Sequence, residues 1–300
     1  MKKIKTQILL LSILFAGIFM MPSCGGGDDG PAGPSMNSQE TMSSSGKYSV
    51  FLARMDELGL LTKINGSSQV TILAVTDNQL IADDIDLANM QADSARKFIN
   101  YHIINGKKLV KDFPSSGYVS SDCAGGPNGE KLSIYTEVTG ENVRFNGNNY
   151  ILKTETTNGI IYEMELSLIQ PTILMHLAIN SNISIYRYAV NLNKTIKDLL
   201  GTGAHTVFAT TTPKFEKYLN DNNTTVALMH PVERQKILEN STMDGSVKAS
   251  LLSGTMTTLG DDMVVTSVSG ELTLNGKAKV VHKDVQCVNG LMHVIDNLLN

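Results

Sequence analysis

Three lysines, Lys2, Lys3 and Lys5, precede an uncharged apolar run over residues 8–21 (ILLLSILFAGIFMM), the order of a secretory signal peptide. The run is 14 residues long. At about 1.5 Å per residue it reaches about 21 Å, short of the ~30 Å hydrocarbon core of a bilayer, so cleavage is expected rather than a permanent span. Hydrophobicity then vanishes: residues 25–46 (GGGDDGPAGPSMNSQETMSSSG) offer too little apolar surface to offset ordering and are predicted to be a flexible tether. Beyond Tyr48 the periods of regular structure set in. Leu87, Met90, Ala95 and Phe98 share one face of a helix predicted over 87–98, with Asp93, Arg96 and Lys97 outward. Strands are predicted over 131–138, 142–145 and 150–154, and again over 263–268, 271–274 and 279–283, with turns at Asn146-Gly147, Ser269-Gly270 and Asn275-Gly276. A short helix is expected over 172–182. Helices first and strands later is the order of an α+β domain.

That order occurs twice, because the chain repeats itself. VTILAVTDNQL at 70–80 returns as HTVFATTTPKF at 205–215, and NGIIYEME at 158–165 returns as NGLMHVID at 289–296. The offsets, 135 residues from Thr71 to Thr206 and 131 from Asn158 to Asn289, are nearly equal, so a duplicated domain follows. In each copy a β-branched run ends in polar residues suited to capping a helix, and an Asn-Gly turn feeds a strand. A boundary near residue 171 leaves little free linker, which favours a fixed or semi-fixed angle between the copies.

The repeated blocks resemble the two signature motifs of the fasciclin (FAS1) family. Thr71 and Asp77 of the first copy and Thr206 of the second fall in the first motif; Asn158 and Gly159, then Asn289, Gly290, His293 and Asp296, fall in the second. Between them the family carries a Tyr-His pair before a glycine, supplied here by Tyr101, His102 and Gly106, while the second copy keeps only the glycine, Gly245. The motif proline is Val75 in one copy and Thr210 in the other, and the His-Val-Ile-Asp of the second motif is Tyr162-Glu163-Met164-Glu165 in the first copy. The resemblance implies two tandem α+β domains over 47–170 and 171–300, each a wedge of strands with helices packed on it, in which these motif residues are structural. It also implies adhesion or protein interaction rather than catalysis.

Met21-Pro22-Ser23-Cys24-Gly25 resembles a bacterial lipobox, which makes 1–23 a lipoprotein signal peptide and Cys24 the lipidated residue, so that the membrane is a partner through the lipid. Asp28 and Asp29, just behind it, resemble the export signal of Bacteroidetes lipoproteins sent to the outer face of the outer membrane; the periplasmic face is the other reading. Removing 1–23 takes three lysines and no acid, leaving 22 basic against 29 acidic side chains, a net −7 that argues against nucleic acid. With Cys24 acylated, Cys123 and Cys287 remain, either bridged, which needs Cα atoms within about 7 Å, or buried as free thiols.

No G-x-S-x-G elbow, H-E-x-x-H, Walker loop or helix-opening G-x-G-x-x-G occurs, so no catalytic residue, cofactor or metal is expected. Asp83-Asp84-Ile85-Asp86 lacks the glycine and distal glutamate of an EF-hand loop and reads as a solvated acidic turn. His102 and His293 read as core or hydrogen-bonding residues, and His176, His205, His230 and His282 have no partner visible in the sequence. The partner expected is another protein or an extracellular matrix component. A glycan or small-ligand capture role beside an outer-membrane transporter is the alternative, poorly served by a chain with no Trp, nine Tyr and eight Phe.

Overall fold

A computed structural model describes residues 33–299; the signal peptide, Cys24, Asp28 and Asp29 lie outside the described residues. Residues 34–300 form one compact unit containing both copies. The first copy runs α1 (Ser38–Ser45), α2 (Ser49–Glu57), α3 (Thr62–Asn65), β1 (Val70–Ala74), α4 (Asp77–Ala82), α5 (Ala92–Tyr101), β2 (Ile103–Asn105), β3 (Ser116–Ala124), β4 (Lys131–Thr139), β5 (Asn142–Phe145), β6 (Tyr150–Thr156) and β7 (Gly159–Met164). The second repeats it as α6 (Ile173–Ile179), α7 (Ser184–Asn191), α8 (Lys194–Leu200), β8 (His205–Thr210), α9 (Thr212–Asp221), α10 (Pro231–Asn240), β9 (Thr242–Asp244), β10 (Gly254–Met256), β11 (Met263–Val268), β12 (Glu271–Leu274), β13 (Ala278–Cys287) and β14 (Gly290–Ile295).

In the second copy these strands form one seven-stranded sheet, β10-β11-β12-β13-β14-β8-β9. The first copy keeps the order but is cut between β5 and β6 into sheets β3-β4-β5 and β2-β1-β7-β6. Where β12 and β13 pair through Thr273–Lys279 and Leu274–Ala278, the first copy has only the single bridge Phe145–Asn148. The two repeated sequence blocks become the central parallel pair of each copy, β1 on β7 and β8 on β14. Strands buried on both faces read as continuous apolar runs, and β1 and β8 are buried throughout. With the period of two, Ile72 and Ala74 face the helices while Leu73 faces the strand-rich side; Val207 and Ala209 against Phe208 do the same in the second copy.

Two expectations need correction. The tether does not extend to residue 46: Asn37 and Glu40 form a capping box, with Glu40 N donating to Asn37 Oδ1 at 2.9 Å and Asn37 N to Glu40 Oε2 at 2.8 Å, and α1 buries Met42 and Ser38 completely. The helix predicted over 87–98 starts instead at Ala92 and runs to Tyr101, because the Asp86 side chain accepts Asn89 N at 3.1 Å and holds 86–89 in a turn. Leu87 and Met90 still reach the helical core from that turn.

The copies meet along a polar and aromatic seam. Tyr118 of β3 stands edge-on to His176 of α6 at 5.3 Å and to His282 of β13 at 5.9 Å, and its hydroxyl accepts Asn180 Nδ2 at 2.8 Å. Gln286 N donates to Ser133 Oγ at 2.9 Å, Asn182 Nδ2 to Ser116 Oγ at 2.6 Å, and Lys248 pairs with Glu130 at 3.1 Å.

Candidate functional site

The motif residues are pegs for the backbone, and the two copies use them alike. Thr71 Oγ1 donates to Gly106 O at 2.6 Å and accepts Lys108 N at 2.9 Å; Thr206 Oγ1 does so with Gly245 O at 2.7 Å and Val247 N at 2.8 Å. Gly106 and Gly245 have φ of 85° and 79°, which favours glycine at the turn between them. Asn158 Nδ2 donates to Ile64 O and Gly66 O, and its Oδ1 accepts Ser38 N at 2.8 Å, tying α1 and α3 to the last strand. Asn289 matches it, donating to Leu200 O and accepting Ile173 N at 2.9 Å. A Cβ on Gly159 or Gly290 would lie 2.0 or 2.1 Å from the carbonyl oxygen of Val70 or His205, so neither position accepts a side chain.

Departures from the motif turn out to conserve bonds. His293 donates from Nε2 to Val247 O at 3.1 Å; Tyr162, its counterpart opposite Leu73, donates from its hydroxyl to Lys108 O at 2.9 Å. Asp77 accepts Ser49 N and Val50 N, each at 3.0 Å, to cap α2, and Thr212 accepts Ile185 N at 3.4 Å at the start of α7. Asp296 accepts Lys279 N at 2.7 Å beside β14.

The Tyr-His pair is wholly interior. Tyr101 donates to Ser133 O at 2.9 Å and accepts Asn146 Nδ2 at 2.7 Å. His102 donates from Nδ1 to Phe98 O and accepts Leu168 N at Nε2, both at 2.9 Å, which fixes its tautomer; burial pushes its pKa down to about 4. Both rings are buried; Tyr101 ties α5 to β4 and to the turn at Asn146, while His102 pins the chain that leaves β7. Asn240 of the second copy has that task too, donating to Leu299 O at 3.1 Å.

Above this pinned segment opens a cleft of about 770 Å³, within the size range of ligand sites. Phe98 and Met90 line it from the α5 side, Leu166, Leu168 and Ile169 from the segment after β7, and Val288 of the second copy also contributes to the lining. Leu166 and Ile169 are 46% and 66% exposed. Asp83 sits in the cleft with both oxygens engaged, by Gln79 Nε2 at 2.8 Å and Ser167 N at 2.7 Å, so it serves as a local brace. Sequence reasoning did not single out this wall. The signal was there in three apolar residues crowded between the last strand and Pro171, in a stretch with no helical or strand period.

Cys123 and Cys287 are free and buried, and burial raises both thiols, Cys123 to about 11. Among the described residues no cluster of three or more His, Cys, Asp or Glu is placed to hold a metal ion. His230 accepts Val232 N at the start of α10, and His205 bonds Thr202 O at 2.8 Å, so these two histidines are local structural groups.

Duplicated α+β wedges with a central parallel pair built from the two motifs define a tandem domain class, and the fasciclin domain model matches residues 46–170 and 181–300. The chain belongs to the fasciclin family. Its fold is similar to that of a FAS1 domain pair from the insect cell adhesion molecule Fasciclin I, with a TM-score of 0.52 and 22% identity, covering 87% of this chain and 98% of that one. It is also 28% identical over 148 residues to transforming growth factor-beta-induced protein ig-h3 of Sus scrofa, an alignment that takes in 48% of this chain and spans 22% of that relative's length.

Proposed function

We propose that this chain is a lipid-anchored envelope protein that mediates adhesion through protein contact. The observation that carries the reading is the joined pair: two fasciclin copies locked by the Tyr118 seam and presenting an exposed apolar cleft where they meet. The described fasciclin pair comes from a protein whose name is that of a cell adhesion molecule, which agrees with this use. Lipid on Cys24 holds the chain at the outer membrane, a tether over about 25–36 spans the gap, and the domains face outward. Every motif residue on the described chain is spent on structure, which favours contact by surface over chemistry at a pocket of polar groups.

Surface proteolysis of intact cells tests the placement, comparing wild type with Cys24→Ala and with Asp28 and Asp29 changed to alanine. Digestion of wild type and protection of the aspartate variant is expected. Protection of wild type confines the domains to the periplasm and ends the cell-adhesion reading.

A further inference from the structure

We propose that the cleft beside Phe98 is the docking site for an extended peptide segment of a partner protein, apolar at alternating positions and carrying an acidic side chain. The proposal rests on the adhesion reading and gives it a place and a chemistry. Its first support is the main chain. Among the described residues, the backbone N–H groups of Leu166, Ile169 and Gln170 donate to no acceptor and the carbonyls from 166 to 170 accept no donor. A wall of unpaired donors and acceptors beside apolar side chains is what strand-like peptide addition uses: main-chain bonds supply affinity and pockets select side chains. The purely apolar tail of a lipid would leave those groups unused.

The second support is rigidity. Ser167 N is held by Asp83 and Leu168 N by His102, so the wall is ordered before any partner arrives and less ordering is left to be done on binding. The third is charge. Lys97 lines the cleft and pairs with no carboxylate among the described residues, whereas the acid in the cleft, Asp83, already has two donors. Lys97 is therefore the charged side chain of the cleft left without a partner, and an acidic residue of the bound segment would pair with it.

The test selects a random dodecapeptide display library on the full chain, captured through its C-terminus, and on a Leu166→Asp, Ile169→Asp double variant. Both changed side chains are largely exposed, and an unchanged denaturation midpoint verifies the variant's fold. Peptides enriched on wild type are expected to alternate apolar residues around an Asp or Glu. Synthesised, they should bind at least tenfold more weakly to the double variant, several-fold more weakly to Lys97→Glu, and lose affinity when alternate amides are N-methylated. Selection of no peptide that depends on Leu166 and Ile169 overturns the proposal, as does cleft-dependent binding of dodecanoate in place of any peptide. Cells that still adhere with the double variant would likewise remove the cleft assignment while leaving the adhesion reading intact.

Discussion

At the scale of single residues, the motif positions show how a family signature survives substitution. Tyr162 replaces histidine yet donates to the carbonyl of Lys108 just as His293 donates to that of Val247, because what the fold needs at that point is a donor of the right reach. The sequence pattern located these positions, but it could not show which bond each one makes, since partners such as Lys108 and Val247 lie in loops with no period. Thr206 is the sharpest test. Its fully buried hydroxyl satisfies one part-buried donor and one part-buried acceptor, so Thr206→Val should lower stability by about 1–3 kcal/mol while Thr206→Ser changes it far less. Urea denaturation followed by circular dichroism reads the difference.

At the scale of elements, the helix α1 is the main surprise of the fold. Composition alone reads residues 25–46 as a tether, and two methionines, Met36 and Met42, among Ser, Gly and Gln give no apolar stripe to contradict that. What orders the segment is a capping box and a long-range bond from Ser38 N to Asn158, neither of which leaves a periodic trace in sequence. The repeat would have supplied the clue. Thr157 N donates to Met36 O as Val288 N donates to Pro171 O, so α1 stands to the first copy as α6 does to the second. Met42→Ala should therefore cost about 2–5 kcal/mol, as for a fully buried methionine, and Ser43→Ala, on the exposed side, should stay within about 0.5 kcal/mol of wild type. Equal and negligible effects of the two changes would return the segment to the tether. The strands over 131–139, 142–145 and 263–274 were by contrast legible, since alternation and Asn-Gly or Ser-Gly turns are local signals, and Asn146, Ser269 and Asn275 indeed take positive φ.

For the molecule as a whole, buried histidines, one of them in the seam, set the response to acid. His176 is fully buried between the copies and burial holds its pKa down to about 3; the ring of Tyr118 covers it, and the backbone carbonyls of Ser133 and Gln286 face it. His282, which also stands edge-on to Tyr118, is lowered as well by burial. Both are neutral when folded and bind protons once released, so the unfolded state takes up more protons below the ordinary histidine value of 6.5. Stability is therefore full above pH 6.5 and falls as the pH drops from there toward 3, with His176 and His102 each contributing a slope of about 1.4 kcal/mol per pH unit down to its own folded value. Denaturation midpoints at pH 7.5, 6 and 5 check the trend, and His176→Phe should make it shallower while the share of His102 remains.

The central claim, that a tethered fasciclin pair adheres by protein contact, is tested most directly by measuring attachment of cells carrying the wild-type chain, Cys24→Ala, or no chain to surfaces coated with extracellular matrix proteins or with glycans. Attachment to the protein-coated surfaces by wild type, lost both on deletion and in Cys24→Ala, is the predicted result. Attachment that is indifferent to the chain, or that follows the glycan coating instead, would contradict it.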